Sequence, residues 1–189
     1  MFSVIKKNAL GRVDKSVKGS FDKLLIPLIN LINKNDNVFT TSSCSGRSLL
    51  LYRYGTKKKN ETEWLFKTHS NPSQKDFLKT LEGVKRKGEV WLCFDPFILH
   101  IRCENLKVTD DILKVARKVG LKHSGIISLG NTYMLEIVGS DGFSSLVYKE
   151  KLLVDENYIK TIVNIAKEKF KKNKEKIEKF YSGLKLLFN

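Results

Sequence analysis

The sequence predicts an α+β fold in which a mixed or antiparallel sheet is flanked by helices. Short segments rich in β-branched and aromatic residues alternate with segments whose apolar residues recur at helical spacing. The most apolar stretch, residues 90–103, carries no helix-capping signals and is typical of a buried strand. With 189 residues, 41% of them hydrophobic, the chain can bury a sizeable core without a disulfide or a metal.

The first half of the chain begins with a basic arm at residues 1–20, which is predicted to be irregular. Helical periodicity follows from Phe21 to Ile32, and Pro27 implies that this helix begins late or kinks. Ser73 is predicted to be the N-cap of a second helix. Three strands and a basic hairpin loop are expected between these helices: residues 38–41, 48–54 and 63–68, with the loop at 55–60.

The second half is predicted to hold further strands between two helices. The buried strand at 90–103 is broken or bulged at Asp95-Pro96, because proline cannot donate in a ladder. Thr109 is expected to cap a helix that stops at Gly120. Strands follow at residues 124–128, 132–138 and 144–148, and a C-terminal helix at 155–183 has a gap in its apolar stripe around Asn173. We expect one domain over residues 1–189, and the element order is compatible with two duplicated αβββα halves.

A strong basic charge limits the partners of the protein. Lys and Arg total 35 against 20 Asp and Glu, which gives a formal net charge of +15. Such a field favours a polyphosphate, mainly through counterion release, and it also favours an anionic membrane surface. A thermophilic surface rich in Lys and Glu is the alternative without a charged partner. Composition favours nucleic acid.

The cysteines and apolar segments indicate a reduced, soluble, cytoplasmic protein. Three cysteines with no CxxC and no paired histidine spacing predict neither a disulfide framework nor a metal site. The opening residues are too charged for the apolar part of a signal peptide, and no apolar run approaches the roughly 20 residues of a membrane span.

The least ordinary segment is the loop TSSCSGR at residues 41–47. Its hydroxyls and backbone N–H groups favour an anion, Gly46 permits a left-handed backbone, and Arg47 offers a planar fork for a carboxylate. A polar turn between strands is the alternative. Cys44 is a nucleophile only if Arg47 and nearby N–H groups lower its pKa, and packing behind the loop is the commoner role of a free cysteine.

Two histidines are candidates for proton transfer. His69 closes a predicted strand and His100 lies in an apolar one, so each is either a general base or a structural histidine. His123 is expected at the surface. Trp64 is either a stacking surface for a base or a core residue.

Five motifs occur in an order that resembles a known family. They are DKSVKG at residues 14–19, TSSCSGR at 41–47, Trp64-x4-His69, PFILHIRC at 96–103 and SGI at 124–126. Together they resemble the tRNA wybutosine-synthesizing protein 3 family of archaea and eukaryotes. Val17 stands where that family usually has proline, and residues 136–140 lack an arginine that we would expect there.

The resemblance implies an S-adenosylmethionine-dependent methyltransferase. The family methylates the N-4 position of a wyosine-type guanosine derivative next to the anticodon of phenylalanine tRNA. It has a fold of its own, without a Rossmann methyltransferase core, and this sequence agrees because it has no GxGxxG between a strand and a helix. A tRNA-binding module without chemistry is the alternative, and a cysteine hydrolase is a more distant one.

Hypotheses about individual residues follow from this reaction. The proton of the methylated nitrogen is managed by His69 or His100, with Asp14 as a partner. The groups predicted to bind the cofactor are Ser43, Ser45, Gly46 and Arg47. The groups predicted to contact the substrate RNA are Lys15, Lys18, Trp64, Lys57, Lys58 and Lys59. No metal is expected.

Overall fold

A computed structural model describes residues 1–11, 21–55 and 61–189. Groups of two to four strands are separated by helices along these residues. In chain order they are α1 (Phe2–Leu10), the 3-10 helix η1 (Lys23–Leu25), α2 (Ile26–Lys34), β1 (Val38–Cys44), β2 (Arg47–Arg53), β3 (Thr62–Thr68), α3 (Gln74–Glu82), β4 (Glu89–Asp95), β5 (Ile98–Cys103), α4 (Leu106–Lys118), β6 (Gly125–Ser128), β7 (Tyr133–Val138), β8 (Phe143–Lys149), β9 (Lys151–Leu152) and α5 (Glu156–Phe188).

These elements form two compact units. The first unit holds Met1–Ser45, Phe97–Ser140 and Asn173–Asn189, and the second unit holds Gly46–Pro96 and Asp141–Lys172. Helix α5 therefore contributes its first part to the second unit and its last part to the first unit.

The first unit is built on a four-stranded antiparallel sheet in the order β1-β5-β7-β6. Alternate residues of its strands, such as Leu99, Ile101 and Leu135, enter a core with α2, α4 and the end of α5. Since successive side chains of a strand point to opposite faces, the remaining strand residues form an outer face away from this core.

The second unit is built on a five-stranded antiparallel sheet in the order β3-β2-β4-β8-β9. Its core joins Leu50, Leu92 and Val147 of the sheet to Phe77 of α3 and Ile159 of α5.

The α+β class and the antiparallel sheets are confirmed. Each sheet takes strands from both halves of the chain, so neither sheet corresponds to one of the suggested duplicated halves, and the duplication stays a prediction. The predicted break at Asp95-Pro96 is confirmed, since β4 ends at Asp95 and β5 belongs to the other sheet. The expectation of a single domain over residues 1–189 stays a prediction.

Two helix starts differ from the sequence predictions. Residues 2–10 of the arm are not irregular, because they form α1, whose Phe2 packs on Phe39 with ring centroids 5.6 Å apart. Residues 12–20 of the arm lie outside the described residues. Helix α4 begins before Thr109, which is buried inside it, and Asn105 is the N-cap that accepts a hydrogen bond from the Val108 N–H.

Other boundaries follow from local chemistry. Helix α2 begins late, with Pro27 in its first turn, as predicted. Gly120 stops α4 with a φ of 87°, also as predicted. Helix α5 is longer than predicted and reaches Phe188. Within the described residues, no helix is long and apolar enough to cross a membrane.

Candidate functional site

The outer face of the first unit's sheet carries the polar residues of the site. On β5, Leu99 and Ile101 enter the core, so His100 and Arg102 lie on the opposite face. Their neighbours across β7 are Glu136 and Met134, respectively. We call this surface the His100 face and define it as Ser42 on β1, His100 and Arg102 on β5, and Met134 and Glu136 on β7.

A β-bulge brings Ser42 onto the His100 face. Thr40 pairs with the core residue Ile101, whereas Ser42 pairs with His100, so Thr41 is an extra residue between the two pairs. In a regular ladder Ser42 would share the core side with Thr40, because side chains repeat every two residues. The bulge reverses this parity, and Thr41 also points outward, with its hydroxyl 3.7 Å from the sulfur of Met134.

Ser42, His100 and Glu136 form one hydrogen-bonded row across three adjacent strands. The Ser42 Oγ lies 2.8 Å from His100 Nδ1, and His100 Nε2 lies 3.0 Å from a Glu136 carboxylate oxygen. The side chains of His100 and Glu136 are 28% and 32% exposed, so solvent and a ligand both reach the row.

The partners determine where neutral His100 accepts a proton. An ionised carboxylate only accepts hydrogen bonds, so Nε2 carries the ring hydrogen and donates it to Glu136. The lone pair of Nδ1 then accepts from the Ser42 hydroxyl. A proton gained at Nδ1 makes an imidazolium, which the adjacent Glu136 carboxylate stabilises.

Arg102 is the cation of the His100 face. Its Nε is buried and has no hydrogen-bond partner among the described residues. A buried polar group without a partner costs about 1–3 kcal/mol, and more when it is charged. The row also ends in open space, because Gly125 on β6 pairs with Glu136 and a Cβ added there would meet nothing within 4 Å.

In the first unit, the predicted loop residue Ser45 is held by the protein itself. Its N–H and its hydroxyl both donate to the same carboxylate oxygen of Asp22, each at 2.9 Å. Its carbonyl accepts from Asn173 Nδ2 at 2.6 Å, and Asn173 Oδ1 accepts from the Phe97 N–H at 2.9 Å. The geometry therefore supports a structural role for Ser45. Ser43 pairs with the core residue Leu99 in the ladder, which places it on the core side of β1.

In the second unit, Gly46 has the positive φ that the sequence predicts, at 98°. Its carbonyl lies 3.1 Å from His69 Nδ1. Since a carbonyl only accepts, this contact makes Nδ1 the hydrogen-bearing nitrogen of His69 and leaves the lone pair of its neutral ring on Nε2.

Arg47 and Trp64 also meet in the second unit. Arg47 Nε donates to an Asp95 carboxylate oxygen at 2.9 Å, and its guanidinium lies 4.5 Å from the centroid of the Trp64 ring. The Lys67 ammonium is also 4.5 Å from that centroid. Trp64 is 47% exposed, so it is not the core residue that was its alternative. Cation–π contacts hold it in place.

The remaining candidate residues are the cysteines, His123 and those that lie outside the described part of the chain. None of the three cysteines, all of which are described, is in a disulfide. Burial raises the pKa of Cys93 and of Cys103 to about 11, which keeps both as thiols. His123 is exposed, as predicted. The predicted site residues outside the described part of the chain are Asp14, Lys15, Lys18, Lys57, Lys58 and Lys59.

Sequence reasoning selected His100 but missed Ser42, Glu136 and Arg102. Alternation along residues 98–103 was a signal that could have placed Arg102 beside His100. The partners on β1 and β7 require the strand order and the bulge, which the sequence does not display.

The antiparallel sheets define an α+β protein without the parallel sheet of Rossmann proteins, and a histidine–carboxylate pair lies on the open face of one sheet. The profile of the family described as Methyltransferase TYW3 matches residues 3–186. The chain belongs to this methyltransferase family.

Individual relatives and a solved structure agree with the family. The tRNA wybutosine-synthesizing protein 3 homolog of Homo sapiens is 36% identical over 185 residues, which are 95% of this chain and 70% of the human protein. A Pyrococcus furiosus protein, named tRNA(Phe) 7-((3-amino-3-carboxypropyl)-4-demethylwyosine(37)-N(4))-methyltransferase 1, is 32% identical over 189 residues, 98% of this chain and 96% of its own. A solved structure from Pyrococcus horikoshii has a TM-score of 0.89 at 31% identity and covers 97% of this chain and 95% of that chain.

Proposed function

We propose that the protein transfers a methyl group from S-adenosylmethionine to the N-4 position of a wyosine-type guanosine next to the anticodon of phenylalanine tRNA. Family membership supports methyl transfer, and the name of the Pyrococcus furiosus relative supports the substrate. The observation that carries the proposal in this chain is the row of Ser42, His100 and Glu136.

The row supplies a path for the proton that N-4 must lose. Methyl transfer to N-4 would release the N-4 proton, and the Ser42 oxygen would accept it. The Ser42 hydroxyl proton passes to His100 Nδ1, and Glu136 stabilises the resulting imidazolium. The exposed position of Ser42 lets the base approach the hydroxyl from solvent.

The chemistry of the His100 face fits the methyl donor. When bound, S-adenosylmethionine supplies an electrophilic methyl group on a positively charged sulfur. The Glu136 carboxylate complements that positive charge, and the exposed Thr41 and Ser42 hydroxyls can orient polar groups of the donor. Holding nitrogen and methyl in attack geometry is the other contribution of the face.

The second unit offers a second contact of the same RNA. Trp64, with Arg47 and Lys67 against its ring, is an exposed aromatic surface in a positive field. Such a surface suits stacking of an unpaired base. Cofactor binding by Ser43, Gly46 and Arg47, and proton transfer by His69, stay predictions.

Methyl transfer to tRNA from a strain blocked at this step tests the proposal. Nucleoside mass spectrometry should show the gain of one methyl group on the wyosine derivative with the wild-type protein and S-adenosylmethionine. An unchanged nucleoside mass would contradict the proposed function.

The role of His100 is tested separately with His100→Gln. Loss of the proton acceptor should lower kcat by roughly 10²–10⁴-fold with little change in KM. His123→Gln, which changes an exposed histidine of the same unit, is the matched control and should leave the rate unchanged. Wild-type turnover by His100→Gln would remove His100 from the mechanism.

A further inference from the structure

Arg102 is the one charged group of the His100 face that the proton path does not use. Ser42, His100 and Glu136 satisfy one another, whereas the buried Nε of Arg102 has no partner within the described residues. A guanidinium carries five N–H donors in a rigid fork and accepts nothing. Arg102 is partly exposed as a residue, so its fork is open to an acceptor on a ligand.

The surroundings of Arg102 prepare it for an anion. Its cross-strand neighbours are Phe39 on β1 and Met134 on β7, and neither side chain carries a charge. Phe39 is itself covered by Phe2 of α1. An anion at Arg102 therefore meets a cation whose Nε is shielded from water and whose two cross-strand neighbours carry no carboxylate. Charge-assisted hydrogen bonds to such a group are the strong ones.

The distance from His100 limits the size of the ligand group. Arg102 is two residues further along β5, which places it roughly 7 Å from His100 along the strand. An anion on Arg102 and a reacting atom at Ser42 must therefore belong to one small ligand, or to two ligands in contact. A three-carbon chain whose last carbon carries the amino and carboxylate groups of an α-amino acid has about this reach.

We propose that Arg102 binds the carboxylate of an α-amino acid group and so fixes the position of a ligand relative to His100. The inference rests on the proposed function, in which two ligands carry this group. One is the methionine part of S-adenosylmethionine. The other is the 3-amino-3-carboxypropyl substituent that the name of the Pyrococcus furiosus relative gives to its substrate.

Equilibrium binding tests the first source without turnover. Calorimetry compares S-adenosylmethionine with its decarboxylated analogue on wild-type protein and on Arg102→Met, whose unbranched apolar side chain matches the apolar neighbours Phe39 and Met134. If Arg102 holds the donor, the variant binds S-adenosylmethionine roughly 10–100-fold more weakly and the decarboxylated analogue as well as wild type does. The affinity of Arg102→Lys for S-adenosylmethionine should lie between those of wild type and Arg102→Met, because lysine keeps the charge and loses the planar fork of donors.

Single-turnover methylation at saturating donor tests the second source. Two tRNA substrates are compared, one bearing 4-demethylwyosine and one bearing the same base with the 3-amino-3-carboxypropyl group. If Arg102 holds the substrate carboxylate, wild-type protein prefers the second tRNA, and Arg102→Met loses this preference while its affinity for S-adenosylmethionine is unchanged.

Arg117→Met removes an exposed arginine of the same unit and controls for the loss of one positive charge. The proposal is overturned if Arg102→Met binds both donor forms and discriminates both tRNAs as wild type does. It is also overturned if the variant weakens binding of all tRNAs equally, which would make Arg102 a phosphate contact. Failure of the wild-type protein to methylate either tRNA would instead contradict the proposed function.

Discussion

In the proposed mechanism, the two neighbours of His100 have different tasks. Ser42 contacts Nδ1, where the proton would arrive, and Glu136 contacts Nε2, where the resulting charge would be balanced. The pair is about two-thirds buried, so the carboxylate acts in a medium of lower effective dielectric than water.

Glu136→Gln should separate these tasks. The amide oxygen can still accept the Nε2 hydrogen, but the negative charge that stabilises the imidazolium is lost. We expect kcat to fall by roughly tenfold or more, since a charge-assisted hydrogen bond to the imidazolium is replaced by a weaker neutral one, while the affinity for tRNA is retained. Glu178→Gln, on the exposed side of α5, is the control, and equal turnover by both variants would mean that the charge of Glu136 has no role in proton transfer.

The two buried thiols give a prediction for alkaline pH. The pKa of Cys93 and of Cys103 is raised from 9.0 to about 11 by burial, so the folded state keeps protons that the unfolded state loses. Their contribution to stability is therefore complete below pH 9 and is lost as the pH rises through 11. In chemical denaturation at several pH values, Cys93→Ala/Cys103→Ala should lose less stability than wild type over this range. Equal loss of unfolding free energy with rising pH in both proteins would contradict a contribution of the buried thiols.

At the scale of elements, the bulge in β1 decides which serines reach the site. The sequence favours Ser43 and Ser45 because their hydroxyls belong to a polar loop suited to an anion, and it gives no sign that Thr41 is an extra residue. Once the bulge is present, Ser42 faces His100, Ser43 faces the core side, and Ser45 is held by Asp22. His100 could be selected from its sequence context, whereas its partners depend on pairing between strands nearly 60 and 36 residues away.

Helix α5 depends on a polar residue that looked like a gap in its apolar stripe. Asn173 is buried, and its side-chain amide accepts from the Phe97 N–H and donates to the Ser45 carbonyl. Both backbone groups belong to residues that lie between strands. Asn173→Leu should destabilise the protein by about 2–4 kcal/mol, because two buried polar groups lose their partner. Asn164→Leu, at an exposed position of the same helix, should change stability by less than about 0.5 kcal/mol. Equal denaturation midpoints for both variants would contradict this role.

At the scale of the whole molecule, the charge of +15 implies that affinity for tRNA is mainly electrostatic. Each neutralised phosphate releases counterions, so binding should weaken by at least roughly tenfold between about 50 and about 200 mM salt. Filter binding of unmodified phenylalanine tRNA over this range measures the slope. A salt-independent affinity would argue that base contacts, not phosphates, supply the binding energy.

The antiparallel α+β class was predictable because strand and helix periodicities are local. The distribution of strands between two sheets was not predictable, because it depends on pairs of strands that lie far apart in the sequence. Strand β1 pairs with β5, and β4 pairs with β8. The break predicted at Asp95-Pro96 was the one local sequence signal for a change of sheet between two consecutive strands, β4 and β5.

The contacts of Asn173 also have a consequence for synthesis of the protein. The second unit is complete when Lys172 has been added, whereas the first unit needs residues 173–189 to supply the partner of Ser45 and Phe97 and to close its core with Ile177, Phe180 and Leu184. Chains grow from the N-terminus, and units fold once their residues have emerged. The first unit, which carries the His100 face, is therefore expected to finish folding after the second unit, although its strand β1 is synthesised before any strand of the second unit.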